Sequence, residues 1–401
     1  MSKKLLPYEV LLVASKLDAV GLARLPYLLH NAGCRVTLLS PPGLIVNRSR
    51  FVARHIPTSI KAEASALHLK EVLSAQTQPF AQVIIGDEPT LVALAEHHGE
   101  AWLDGWFPVD HRSDAVETIL SKHAFYHKMV SAGLYMPYSK LCQGWIEVEE
   151  AVKYAGYPVM LKSSHGFAGD AVRKICESSE LAPVYAELVP NDEPLLVQQF
   201  CEGVLGGTDV LFDHGVPVCW QSSYKPECWP TPESPSSART MMHHPDIEHI
   251  ISEVGRITGF HGFAAVDWIQ ETSSDRICML EMNPRPTPTY HLDRHSGVSF
   301  SHSFNQLLSG QRTITPPQPV SQPAPLIKMF PQGLYLAIDN RDLRGFILCW
   351  RDAPWYDPLV LCVYLRRLLP YFLPQNWRDN LKSCRRWIRR VLGMKVKSGV
   401  Q

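Results

Sequence analysis

Residues 277–285 read ICMLEMNPR, and residues 262–270 before them read GFAAVDWIQ. The polar run ETSSD at 271–275 is turn chemistry, so the two apolar stretches are expected to pair as a β-hairpin. Side chains alternate along a strand, which sets Glu281 and Asn283 on one face and Leu280 and Met282 on the other. With an odd loop centred on Ser274, Asp267 stands opposite Glu281, at a Cβ separation of roughly 5 Å. Two carboxylates and an amide oxygen held that close repel one another unless a cation joins them. Hard oxygen donors of this kind suit Mg²⁺ or Mn²⁺. Taken singly, either acid is also at home on the polar face of a half-exposed strand. It is the set with Asn283, Pro284 and Arg285 that points to a metal site.

The hairpin with its E-x-N-P-R ending resembles the metal-binding core of the ATP-grasp superfamily, especially its carbamoyl-phosphate-synthase-like branch of carboxylate-amine ligases. The resemblance implies a mixed α/β and α+β chain, an ATP-grasp fold preceded by a parallel α/β domain. On this reading residues 1–113 are the N-terminal α/β domain and 114–310 the nucleotide- and metal-binding lobes. Residues 311–325, rich in proline, are a linker that closes the catalytic unit, and 326–401 are a basic region matched to nothing.

Composition is permissive. The 401 residues suffice for two or three domains, and 39 Lys and Arg balance 39 Asp and Glu, so nothing draws the whole chain to nucleic acid. The balance is local, however: from Leu361 onward ten basic residues face the single acid Asp379. Trp377, Leu381, Cys384, Ile388 and Val391 recur there at helical spacing among arginines and lysines. Such a helix either packs on the acidic remainder of the chain or lies on an anionic membrane surface. The ten cysteines are scattered without a C-x-x-C, which reads as reduced thiols of a cytoplasmic protein. The N-terminal stretch has no secretory pattern, and no run of about 18 apolar residues suggests a membrane span.

In chain order, YEVLLVAS at 8–15 reads as a buried strand, 20–31 as a helix and CRVTLLS at 34–40 as a second strand, the start of a parallel sheet. The first turn, SKLDAVGLA, lacks the dinucleotide glycine fingerprint. A third strand over 82–86 ends in Asp87 and Glu88, which either complement a helix start or face a ligand. Residues 114–131 read as one helix. Residues 157–175, YPVMLKSSHGFAGDAVRKI, place a strand ending in Lys162 before a small loop with Gly166 and Gly169, and a return strand after it. Glycine and serine in such a loop let backbone N–H groups close on phosphate oxygens. Asp170 must then point away. Residues 208–223 read as two strands around the turn FDHGVP. Residues 226–238 read as a flexible, lid-like loop with Arg239 at its exit, favoured as a solvated cation over a weak phosphate-binding role, and 245–258 as an amphipathic helix.

The resemblance assigns roles to several of these residues. Lys162, with Gly166 and Gly169, corresponds to the family's phosphate loop, and Lys122 to a lysine near the phosphates, unless it is an ordinary solvated one. PLLVQQFCE at 194–202 resembles the strand that reads adenine, with Gln198, Gln199 and Phe200, and glutamine stands where many relatives carry a carboxylate. Glu202 or Asp209 is the ribose acid, and Lys225 reaches a terminal phosphate. Asp267, Glu281 and Asn283 hold Mg²⁺ or Mn²⁺, and Arg285 holds the substrate carboxylate or its acyl phosphate. His291 and His295, four apart, are favoured as hydrogen-bonded or substrate-facing residues over zinc ligands. The implied reaction is ATP-dependent joining of a small carboxylate to an amine or other nucleophile. A non-catalytic nucleotide-binding module, a membrane-associated scaffold in one form, and a kinase-like member remain open alternatives.

Overall fold

The computed structural model describes residues 8–16, 20–163, 172–189, 194–232, 234–320 and 324–372. Gly166, Gly169, Asp170 and the basic stretch from 373 onward lie outside the described residues. Three sheets organise the rest. The first is all parallel, in the order β3-β2-β1-β4, and contains β1 (Tyr8–Val13), β2 (Cys34–Ser40), β3 (Val52–Pro57) and β4 (Gln82–Ile85). The second, antiparallel, has the order β5-β8-β6-β7, from β5 (Ser139–Cys142), β6 (Val159–Ser163), β7 (Val172–Ile175) and β8 (Leu195–Gln199). The third has the order β13-β12-β9-β10-β11-β14. Its strands are β9 (Gly203–Asp213), β10 (Val216–Cys228), β11 (Ser236–Met242), β12 (Gly262–Glu271), β13 (Ile277–Asn283) and β14 (Leu326–Lys328), all antiparallel.

The alternation in β1 explains how two of these sheets become one body. Leu11 and Val13 enter a core that also holds Phe212, Trp268 and the helix residues Ile247, Ile250, Ile251 and Val254. Val10 and Leu12 point the other way, into a core with Leu211, Phe263, Phe300 and Phe304. The first and third sheets therefore share both cores. The small second sheet has its own, built from Leu161, Val197 and Val148 with neighbours from the helices Trp145–Ala155 and Ser178–Leu188. The helix Asp246–Thr258 buries its Ile and Val stripe and stops at Gly259, whose φ of 62° is left-handed. At its last turn a Cβ on Gly255 would stand 2.1 Å from the Gly215 carbonyl oxygen, so a glycine is what lets the helix meet the β9–β10 turn.

Several local expectations are corrected. β3 and β5 are additional strands, short and polar enough to escape a hydrophobic pattern. Residues 114–131 form two helices, Ala115–Leu120 and Lys122–Ser131, because Ser121 is extended and its hydroxyl accepts from Ala124 N, which starts a new helix. The stretch expected as a lid is mostly hairpin: Cys228 pairs with Ser236 and Glu227 with Ala238. Its tip is pinned, since Trp229 stacks on Tyr335 at 4.7 Å and donates to Asp339 Oδ2 at 2.7 Å. The Pro-rich stretch does not end the sheet either. Beyond it β14 pairs with β11, and the helices Gln332–Asp339, Leu343–Cys349 and Pro358–Phe372 form a core with Ala23 and Ile45. Among the described residues no helix is long and apolar enough to cross a membrane.

Asp87 joins the first sheet to the next helix. It caps Glu88–Ala95 by accepting from Thr90 N at 2.9 Å, and its other oxygen accepts from Ser15 N at 2.7 Å and Lys16 N at 2.8 Å. Asp87→Ala removes the shared acceptor of three backbone donors and is expected to lower stability by about 2–3 kcal/mol, read as a shift of the urea midpoint.

Candidate active site

The β12–β13 hairpin carries the acids. Asp267 pairs with Glu281 and Ala265 with Asn283, but nearer the turn Trp268 pairs with Met279 and Gln270 with Ile277. The register therefore shifts by one at Leu280. The turn end follows an even-loop register, and the bulge restores the face expected from an odd one. A bulge bends its strand and re-aims the residues beside it, here Glu281.

These strands form one wall of a cavity of about 620 Å³ where the three sheets meet. Asp267, Glu281, Asn283 and Arg285 line it together with Lys122, Lys162 and Lys225. Gln198, Gln199, Phe200 and Asp209 also reach it, as do Asp87 and Glu88 at the helix start. Glu202 is exposed and lies off the cavity wall, its carbonyl accepting from Thr272 N at 3.2 Å.

Electrostatics bind the acids to lysines from different elements. Lys225 Nζ stands 2.7 Å from Asp267 Oδ1, and Lys122 Nζ stands 3.4 Å from Glu281 Oε2. Asn283 Nδ2 donates to Asp267 Oδ2 at 3.3 Å, and Arg285 donates to Asn283 Oδ1 at 3.3 Å. Burial pushes the Glu281 carboxyl up, but Lys122, Lys162 and Lys225 outweigh it and hold it down at about 2. Burial pulls the Lys162 ammonium below its ordinary value, with Glu281 and Asp267 opposing and Lys122 adding to the fall. The site is a half-buried set of fixed anions and cations, suited to exchanging partners with a charged ligand and a metal.

Other residues have structural partners. Gln198 is buried and its amide donates to Ser139 Oγ at 2.9 Å, which joins β8 to β5. Asp209 accepts from Thr287 Oγ1 at 2.5 Å, Thr289 Oγ1 at 2.9 Å and Gln221 Nε2 at 3.1 Å, so it orients the turn after Arg285 rather than offering a free carboxylate. His291 Nε2 lies 2.8 Å from Asp352 Oδ1, and Arg294 Nε donates to His295 Nε2 at 3.0 Å. Neither histidine belongs to a metal-ligating cluster among the described residues.

The residue that sequence reasoning underrated is Arg239. Read as mostly solvated, it is only 9% exposed and lines the cavity from β11. Its guanidinium donates to Ser223 Oγ at 3.2 Å, while its buried Nε has no hydrogen-bond partner among the described residues. Burial lowers its pKa, opposed by the charges of Asp209 and Asp267. The missed signal is alternation across ARTMM, which sets Ala238 and Arg239 on opposite faces of β11, both of them buried.

Comparison with known proteins places this geometry. A family described as "ATP-grasp domain" matches residues 119–289, which hold most of the residues lining the cavity. The chain carries an ATP-grasp domain. A D-alanine–D-alanine ligase of Marinobacter nauticus is 22% identical over 216 residues, 48% of this chain and 62% of that enzyme. The chain thus spans under two thirds of that relative's length. Among solved structures, N5-carboxyaminoimidazole synthetase from Staphylococcus aureus complexed with ADP aligns at a TM-score of 0.64 and 12% identity, over 83% of this chain and 85% of that one. The biotin carboxylase domain of Hydrogenobacter thermophilus 2-oxoglutarate carboxylase, in complex with MgADP, ADP and bicarbonate, aligns at 0.59 and 15% identity, over 77% and 71%. At these identities the structural likenesses establish the ATP-grasp fold alone: a parallel α/β sheet followed by two antiparallel sheets with the cavity between them.

Proposed function

We propose that this ATP-grasp domain is an ADP-forming ligase that activates a small carboxylate as an acyl phosphate and transfers it to an amine. One observation carries the reading: Asp267, Glu281 and Asn283 share one strand face of a cavity ringed by Lys122, Lys162 and Lys225, with Arg239 and Arg285 further along the same wall. The relatives' own names, a ligase and two carboxylating enzymes, support the reaction class.

The donor set fits a hard divalent cation, because Asp267 and Glu281 pair across the hairpin with the Asn283 amide beside them, where lysines already compensate the charge; the amide, which donates to Asp267 and accepts from Arg285, would turn its oxygen to the ion. Asp267, Glu281 and Asn283 would hold Mg²⁺, which when bound neutralises charge on the transferring phosphoryl group. Lys162, buried at the end of β6, and Lys122 hold the nucleotide phosphates, and Lys225 faces the terminal one. Gln199 and Phe200, at the end of β8, lie beside the base. The substrate carboxylate attacks the terminal phosphorus and ADP leaves. The amine then attacks the acyl carbon and phosphate leaves. Arg285 and Arg239 supply planar two-pronged donors to the carboxylate and to the acyl phosphate it becomes.

The test is release of ADP and phosphate from Mg-ATP in the presence of pooled carboxylates and pooled amines, with Glu281→Gln as the blank. Release requiring both pools supports a ligase. Release requiring acids alone indicates a kinase, or an acyl phosphate lost to water. Tight Mg-dependent ATP binding without release under any pool sinks the ligase reading in favour of a binding module. Arg239→Met is expected to lower kcat/KM for the acid about 10²-fold while ATP affinity changes little. Equal losses for acid and ATP would remove Arg239 from the acid site.

A further inference from the structure

Two cysteines distant in sequence meet at the edge of the cavity. Cys201 follows β8 on the connection to β9 and lies on the cavity wall, half-buried. Cys278 is buried on β13, three residues before Glu281. Their Sγ atoms are 3.2 Å apart. The nearby Glu271 carboxylate is engaged elsewhere, accepting from Tyr135 Oη at 2.6 Å and from Ser274 Oγ at 2.6 Å. A Glu271 oxygen and the two Sγ atoms all lie within 4.8 Å of one another, so this acid borders the thiol pair.

The two positions differ in reactivity. The hydrogen bond between the thiols lowers the Cys201 pKa, with burial and the Glu271 charge opposing and Lys162 helping, whereas the same bond and burial raise Cys278. Cys201, half-buried on the cavity wall, is thus the thiol that solvent reaches first and the readier of the two to ionise, and Cys278 is the buried partner positioned to resolve it. The chain at Cys201 connects the small sheet, which has a core of its own, to the large sheet that carries the acids.

We propose that Cys201 and Cys278 are a modification site at which a hydroperoxide forms a reversible disulfide, fastening the connection between the two sheets to the acid-bearing hairpin. The Cys201 thiolate attacks the terminal peroxide oxygen, the O–O bond breaks, and the leaving oxygen departs as hydroxide or alkoxide and takes up a proton. Cys201 is then a sulfenic acid. The Cys278 sulfur attacks the Cys201 sulfur, its proton passes to the departing hydroxide, and water leaves as the S–S bond forms. Two thiols have lost two electrons and two protons, and one peroxide has become water and an alcohol, or two waters from hydrogen peroxide.

The experiment treats the folded full-length chain with hydrogen peroxide, then unfolds, alkylates and digests it for mass spectrometry. Expected are a peptide holding Cys201 linked to one holding Cys278, a chain mass lower by two hydrogens, and recovery of both thiols with dithiothreitol. In Cys278→Ala the reaction stalls, and dimedone captures Cys201 as a sulfenic acid. In Cys201→Ser, changed at a half-exposed position, the cross-link disappears and Cys278 stays alkylatable. Recovery of both cysteines as alkylated thiols in the wild-type chain, or of Cys201 as sulfinic acid beside a free Cys278, overturns the proposal. This outcome depends on no nucleotide, so it stands or falls apart from the ligase reading.

Discussion

Glu281→Gln is expected to lower Mg-ATP-dependent turnover by about 10³-fold while leaving the fold intact. The argument begins with shape. Glutamine has the outline of glutamate, so β13 keeps its pairing opposite Asp267 and its bulge at Leu280. What changes is charge. Glu281 is the acid on which Lys122, Lys162 and Lys225 all act, and it is the leading group that opposes the effect of burial on Lys162. Without it the metal set keeps one carboxylate, and Lys162 loses the main charge that opposes the effect of its burial. The loss of stability should be modest, because Lys122 is 37% exposed and water can take over its solvation, and buried Lys162 keeps Asp267 as a counter-charge. Initial rates of ADP release, measured beside thermal melts of both proteins, separate the two effects. Turnover near the wild-type rate with an unchanged melt would remove Glu281 from the chemistry.

Much of the framework around that residue was legible from two periods. Alternation in GFAAVDWIQ and ICMLEMNPR placed Asp267 opposite Glu281, although by assuming an odd loop; the turn end pairs as an even one, and the bulge at Leu280 makes up the difference. A bulge leaves no mark in a binary pattern, because it depends on how the strand bends across its neighbours. The β-α-β start and the Lys162 strand were readable because apolar runs bounded by glycine and proline carry their own ends. Arg239 was not readable, since its burial requires β11 to lie between β10 and β14, and β14 arrives from beyond the Pro-rich segment. The same non-local pairing hid the hairpin at 226–238. The Cys201–Cys278 contact spans 77 residues and no local spacing announces it. Asp209 was legible as an acid near the site but not as one already engaged, because its partners Thr287 and Thr289 come from a turn whose path only the folded chain defines.

Asp352→Asn is expected to destabilise the chain by about 3–5 kcal/mol, the larger effect on folding. Asp352 is 2% exposed and accepts from Arg24 through both oxygens, at 3.3 and 3.0 Å, from Phe330 N at 2.9 Å and from His291, whose Nε2 lies at 2.8 Å. Arg24 is itself buried and donates in addition to the Phe330 carbonyl at 3.1 Å. Asparagine keeps the size but leaves a buried guanidinium without a counter-charge and brings an NH₂ group that must find acceptors. Replacing the pair by apolar residues, Arg24→Met with Asp352→Leu, should be less damaging than Asp352→Asn alone, because the stranded charge is what destabilises. A urea midpoint for each variant decides this, and equal loss in both would assign the effect to packing. The pH dependence has a definite sign. Burial pushes the Asp352 carboxyl up, yet His291 and Arg24 together hold it far below the usual carboxylate range, so its folded value is depressed. Its contribution is then complete above the unfolded value of about 3.9 and declines as pH falls below it, so wild type and Asp352→Asn should converge in acid. The consequence reaches the cavity. Arg24 and Phe330 both line it, and Asp352 lies beyond the Pro-rich segment that the sequence suggested as the end of the catalytic unit. If the substitution loosens the whole chain in one transition, the described C-terminal helices fold as part of the ATP-grasp body; a separate early transition would make them an appendage.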